Sequence, residues 1–155
     1  MPWTDLLSAE RIVVLDDPGT PARVLEAAAV LLSDGSAASA SAIALALGQR
    51  ERLASTAIGH GVAIPHARSE AFHAARGAFL KLGTGLDFGA RDGAPVDLVF
   101  AISATDDRPE EHLQHLAEIA TRFSDPAFRD RLRAARDVAA LRRLLLPPAA
   151  AAKVA

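Results

Sequence analysis

The residues that could do chemistry gather around one short stretch. Residues 59–68 read GHGVAIPHAR, with His60 between two glycines and His66 directly after Pro65. Arg50-Glu51 and Ser55-Thr56 precede this stretch, and Arg68 ends it. A neutral imidazole is a nucleophile near neutral pH, because its unperturbed pKa is about 6.5. An arginine fork and hydroxyls beside such a ring suit a phosphoryl group, whose oxygens accept charge-assisted and backbone hydrogen bonds. Further along, His112 and His115 stand three apart in PEEHLQHLAEIATRF. Those two imidazoles, with His60 and His66 converging on them, offer a competing chemistry, a histidine metal site. No carboxylate completes a recognised metal spacing and the chain has no cysteine, so no metal is expected.

The backbone around His66 gives it more weight than a lone histidine carries. The residue before a proline is held extended, and Pro65 cannot donate into a strand ladder. The strand is therefore expected to end or reach an edge there, carrying His66 past the sheet into a loop mouth. Gly59 and Gly61 permit a tight turn at the other end of the segment. Reactive side chains in open α/β folds usually stand at strand ends of this kind. His112 falls on one helical face with Leu116, Ile119, Ala120 and Phe123. Alone it would read as a core histidine bonded to a carbonyl. His115, on the flank of that face, is expected to be exposed. His73, in the polar SEAFHAARG, reads as a surface residue, and Arg52 as a solvated helix charge.

The elements that must position these residues follow from local signals. Ile12–Leu15 reads as a strand ending in the turn Asp16-Asp17-Pro18-Gly19. Thr20 is expected to cap a helix with Pro21 at its first position, stopped by Asp34-Gly35. A second helix is expected over Ser39–Arg52, with Ile43, Leu47 and Leu53 inward. A strand-and-turn region covers Ser55–Ala67, and Ala75–Gly83 reads as a further strand. Val96–Ile102, nearly all apolar, reads as a central strand. Helices follow over Pro109–Phe123, over AFRDRLRAA with Ser124 or Asp125 as cap, and over Asp137–Leu146. The order βααβββααα implies an α/β fold: one domain, a small mixed β-sheet flanked by helices on both faces, in three layers. Residues 1–147 are expected to form that domain and 148–155 a flexible tail. The order of strands in the sheet is left open.

Composition narrows the function classes. With 155 residues, the chain suits one domain with one substantial core. Half of its residues are apolar, 23% are charged and the net charge is −2, with no block of Lys or Arg. A nucleic-acid or anionic-membrane surface is not expected from that balance. The absence of cysteine removes disulfides and thiol catalysis, and fits a reducing cytosol. The N-terminal MPWTDLLSAERIVVLDD carries acids and no long apolar run, so no signal peptide is expected. No stretch of about 20 uncharged apolar residues occurs. A cytoplasmic protein is expected.

The stretch RERLASTAIGHGVAIPHAR resembles the signature region of enzyme IIA proteins of the fructose/mannitol type in the bacterial phosphotransferase system, and most of all their nitrogen-regulatory branch. The likeness extends over most of the chain, including PVDLVFAI and the His112-Leu113 pair that opens an amphipathic helix. It implies that His66 is the phosphorylated histidine and His112 its neighbour, donating to the phosphoryl oxygens. Arg50 matches the arginine of the family's Arg-Glu pair, and Ser55 and Thr56 match its small-hydroxyl pair. The implied donor is an HPr-like carrier phosphorylated on its own histidine. Transfer would run between proteins, with no metal, no organic cofactor and no small-molecule turnover. With no IIB, HPr or permease sequence in the chain, a regulatory phosphocarrier is expected. A sugar-transport enzyme IIA passing the group to a separate IIB protein is the alternative. Two positions depart from the family: His60 replaces a common asparagine, which could place an extra imidazole near the site, and Ala67 replaces a glycine.

Overall fold

The computed structural model describes residues 2–148. The expected tail lies outside the described residues, apart from Pro148. Two 3-10 turns, Trp3–Leu6 and Ala9–Arg11, lead into strand β1, Ile12–Leu15. Helix α1 (Pro21–Leu32) starts where Thr20 accepts a hydrogen bond from the Arg23 N–H at 3.2 Å. Helix α2 (Ala37–Leu53) starts two residues before the expected point, because Ser36 caps it through the Ser39 N–H. The strand-and-turn region resolves into β2 (Ala57–Gly59), β3 (Val62–Ala63) and β4 (His66–Arg68), and is followed by β5 (Arg76–Leu86) and β6 (Val96–Ala104). Helices α3 (Pro109–Phe123), α4 (Pro126–Ala134) and α5 (Val138–Leu145) close the chain. Asp125 and Asp137 cap the last two.

The sheet order is β1-β5-β6-β3-β2, with β4 also paired to β6. β6 is central, as its apolar run implies: antiparallel to β5, and parallel to β3 and β4 on its other edge. Alternation along the strands divides the core. Phe79, Leu98, Phe100 and Ile102 face α3, α4 and α5, whereas Ala78, Leu80, Val99 and Ala101 face α1 and α2. The second face is lined largely by alanines, Ala28 and Ala29 of α1 among them, so those helices approach the sheet closely. The expected three layers and mixed sheet are present. Leu53 departs from expectation: it is 83% exposed. Ten residues after Ile43 it has rotated about 80° off the buried stripe, and the helix ends there.

Two features hold the elements that bear on His66. The β2–β3 turn places Gly59, His60 and Gly61 all in the left-handed region, at φ of 93°, 57° and 80°. Asp92 Oδ2 accepts the His60 N–H at 2.8 Å, and the His60 carbonyl accepts from Arg133, whose guanidinium also pairs with Asp97. Asparagine, aspartate and histidine are the non-glycine residues that adopt such backbone most readily, so His60 is accommodated at this turn. The second feature is Phe123, at the end of α3. Its ring lies 6.5, 6.0, 6.0 and 5.2 Å from those of Trp3, Phe79, Phe100 and Phe128. That cluster seats α3 on the sheet.

Phe123→Ala should therefore cost about 3–5 kcal/mol of stability in denaturant unfolding, the usual range for emptying a large aromatic site. A loss below about 1 kcal/mol would mean that α3 is held by something other than this ring cluster.

Candidate functional site

His66 is placed by the strand path through Pro65. Val62 pairs with Leu98 and His66 with Ile102, so β3 and β4 are one extended run along β6. The proline removes a single donor, while its carbonyl still accepts from the Ile102 N–H at 2.9 Å. The pairing therefore resumes, and His66 is the first residue of β4 instead of a loop residue beyond the sheet. This corrects the expected loop mouth. Strand alternation turns the half-buried ring toward α3, and Nδ1 lies 2.7 Å from the carbonyl oxygen of Ile64. A carbonyl only accepts, so Nδ1 carries the hydrogen and Nε2 keeps the lone pair. Burial lowers the proton affinity of the ring below the ordinary imidazole range. The bond to Ile64 opposes this, and the Arg50 charge adds to it. The ring is neutral at pH 7.

His112 comes from the first turns of α3, where Pro109 occupies the start of the helix. Its ring centre is 5.6 Å from that of His66. Only 5% of the residue is exposed, and burial, followed by the charges of His66, Arg68 and His115, lowers its pKa to about 4. His112 is therefore a neutral ring with one N–H. Its Nδ1 is buried without a partner among the described residues. That leaves Nε2 to meet a group in the depression. His115, expected to be exposed, is 2% exposed. The buried stripe of α3 runs 112, 115, 119 and 123 and takes in the flank, because the edge of the helix leans on Ile102 and Ala104.

Arg50, Ser55 and Thr56 all border the same place. A depression of about 350 Å³ is lined by Arg50, His66, Arg68, Asp106, His112 and Leu113. It continues over Ser55, Thr56 and Ile58, with Leu116 common to both parts. The hydroxyl hydrogens, however, have partners within the protein. Ser55 donates to the Phe88 carbonyl at 2.6 Å and accepts the Ala57 N–H. Thr56 gives both its N–H and its hydroxyl to Glu51, each at 2.7 Å. The pair thus anchors the start of β2 to the end of α2. Arg50 donates from Nη1 to the Ala54 carbonyl, which holds the fork at the rim. The clasp by Glu51 was not readable from spacing, since it crosses a helix end. Arg68, singled out beside His66 in the sequence, lies in the wall; Asp106 in the wall and Leu113, 64% exposed on the rim, were missed as site residues.

His60 lies elsewhere. The register sets Val62 and His66 about 13 Å apart along the strand, and His60 is further still. The extra imidazole is not at the site, and the four histidines cannot converge on a metal. Among the described residues no three His, Asp or Glu side chains cluster as ligands. Ala67 carries no left-handed strain, and its methyl is buried against the α1–α2 face. The replacement of glycine there is accommodated.

Residues 5–147 match the family described as the phosphoenolpyruvate-dependent sugar phosphotransferase system, EIIA 2. The nitrogen regulatory protein of Bradyrhizobium diazoefficiens is 38% identical over 153 residues, covering 98% of this chain and 100% of that one. The nitrogen regulatory protein IIA-Ntr from Neisseria meningitidis superposes with a TM-score of 0.85 at 34% identity, covering 92% of this chain and 97% of that one. The IIA mannitol protein from Escherichia coli shares the fold, with a TM-score of 0.73 at 23% identity over 90% of this chain and 98% of that one. Family match and full-length relative cover almost the whole of the described chain, and the protein belongs to the EIIA 2 family of the phosphoenolpyruvate-dependent sugar phosphotransferase system.

Proposed function

We propose that His66 accepts a phosphoryl group on Nε2 from a histidine-phosphorylated carrier of the HPr type. The chain then acts as a regulatory phosphocarrier whose phosphorylation state alters what it binds. The observation that carries the residue assignment is the Nδ1–Ile64 bond at 2.7 Å, which leaves Nε2 as the nucleophile in a depression that also holds Arg50 and His112. In the transfer the Nε2 lone pair forms the new N–P bond while the N–P bond of the donor breaks. The donor ring leaves as neutral imidazole. The positive charge that appears on His66 is held through its Nδ1–H by the Ile64 carbonyl. The neutral His112 donates one hydrogen bond to the phosphoryl oxygens, and Arg50 and Arg68 offset their charge. Ser55 and Thr56 contribute by fixing the segment between α2 and β2.

The proposal assigns no cofactor and no metal, because ring, fork and donor supply what positioned phosphoryl transfer needs. The rim formed by Ile58, Leu113 and Leu116 is apolar and shallow, which suits a protein donor better than a small molecule. We take residues 1–147 as the working unit and the cytoplasm as its place. No helix among the described residues is long and apolar enough to cross a membrane. Likeness over the full length of a nitrogen regulatory protein supports the regulatory output. Onward transfer to a separate IIB protein is the second reading, favoured by the sugar-transport character of the wider family.

Incubation with a phosphorylated HPr-like carrier should place one acid-labile, base-stable phosphoryl group on Nε2 of His66, and His66→Ala should abolish it without loss of fold. Phosphate mapped to Nδ1, to Ser55 or to Thr56 would contradict the proposal.

His112 separates catalysis from packing. His112→Gln and His112→Ala should slow single-turnover acceptance about 10²–10³-fold, the usual value of one preorganised donor, at a nearly unchanged melting temperature. Normal transfer by a markedly destabilised protein would return His112 to the core.

A further inference from the structure

Alternation along β4 and β6 gives the sheet a second functional face. His66 and Ile102 point toward α3, whereas their neighbours Ala67 and Ser103, paired in register, point toward α2. Behind them lies a cavity of about 320 Å³ that the phosphoryl chemistry does not use. It opens to solvent and is bordered by the α1–α2 connection, the first turns of α2 and the segment leaving β4, with Ser103 in its wall and Asp34 exposed at its mouth.

Two opposite charges line this cavity and form no ion pair with each other. Arg76 is fixed by donation from Nη1 to the carbonyls of Leu32 and Ser33, at 3.3 and 2.8 Å, so its remaining donors are presented in one orientation. Asp34 is fixed as well, since its Oδ1 accepts the Ser36 N–H at 2.9 Å. Hydrogen bonding from Ser36 holds its carboxyl below the usual carboxylate range, so it is ionised. His73, exposed as read from sequence, borders the cavity on the side of Asp34, and Ile43 and Phe72 supply apolar wall.

We propose that this cavity binds a small zwitterionic amino acid. Its carboxylate would meet Arg76, its ammonium Asp34, and its side chain Ile43 and Phe72. A simple anion would leave Asp34 facing like charge, and a simple cation would leave Arg76 so. A dipolar ligand complements both fixed groups at once. The volume is at the lower end of the ordinary range for small-molecule sites, which suits a single amino acid. The inference does not depend on the role proposed for His66.

The test is a titration of the ¹⁵N-labelled full chain with L-alanine, L-leucine and L-glutamine, beside propionate and ethylamine as half-ligands. At least one amino acid should give saturable shifts in residues 34–43 and 71–76, with both half-ligands about tenfold weaker or more. Ala42→Phe, which fills the cavity from its lining, should abolish those shifts, and Asp34→Asn should weaken binding about tenfold. The proposal is overturned by absence of saturable shifts at millimolar concentrations. It is equally overturned by a half-ligand that binds as well as its amino acid, or by undiminished binding to Asp34→Asn. The Asp34→Asn result stands on its own if Ala42→Phe does not fold.

Discussion

The hydrogen bond from His66 Nδ1–H to the Ile64 carbonyl is the constraint on which the site depends. It fixes the tautomer, the orientation of the ring and the nitrogen that keeps a lone pair, all from a backbone group two residues away. Such a bond requires that the carbonyl of Ile64 and the ring of His66 share one side of the strand, which extended backbone on both sides of Pro65 ensures. The proline contributes twice. It stiffens the segment, and by offering no N–H of its own it leaves one gap in a ladder that β6 otherwise continues. The orientation of the His66 ring thus follows from strand pairing and a backbone carbonyl.

Electrostatics around that ring are arranged to keep both imidazoles neutral. Burial depresses His66, and depresses His112 more strongly, to about 4. In the proposed transfer, a neutral His66 would offer its Nε2 lone pair, and a neutral His112 would donate a hydrogen bond without adding a second charge. Arg50, held by the Ala54 carbonyl, and Arg68 supply the positive field instead. In the proposed transfer, proton affinity and phosphoryl affinity would thereby be divided between different groups, so that one depression could accept the group and later release it.

How much of this was readable from sequence follows the range of each interaction. The cap at Thr20 was legible, and Asp125 was one of two candidates, because side chain and backbone partner are two or three residues apart. Asp137, read as the first residue of the last helix, is its cap. The apolar run of β6 declared its central place. The sheet order stayed hidden, since pairing depends on contacts far apart in the chain. His66 and His112 were named together from the resemblance, and the structure brings their rings to 5.6 Å. His115 was misread because the buried stripe of α3 takes in the flank beside Ala75 and the end of β6, a neighbourhood that periodicity alone does not show. Ser55 and Thr56 were located at the site, but the partners of their hydroxyls, Phe88 and Glu51, lie across a turn and a helix end where no spacing rule reaches. Proline's effect was right in direction and overstated in extent, because its carbonyl still pairs.

The most direct measurement is the protonation state of the two His66 ring nitrogens in the unphosphorylated protein, read from long-range ¹H–¹⁵N correlation spectra across neutral pH. The account requires a protonated Nδ1 and a lone pair on Nε2, persisting to a pH below the ordinary imidazole range before the ring becomes charged. A ring carrying its hydrogen on Nε2, or one rapidly averaging between tautomers at neutral pH, would contradict it, because the Ile64 carbonyl would then not be what selects the nucleophile.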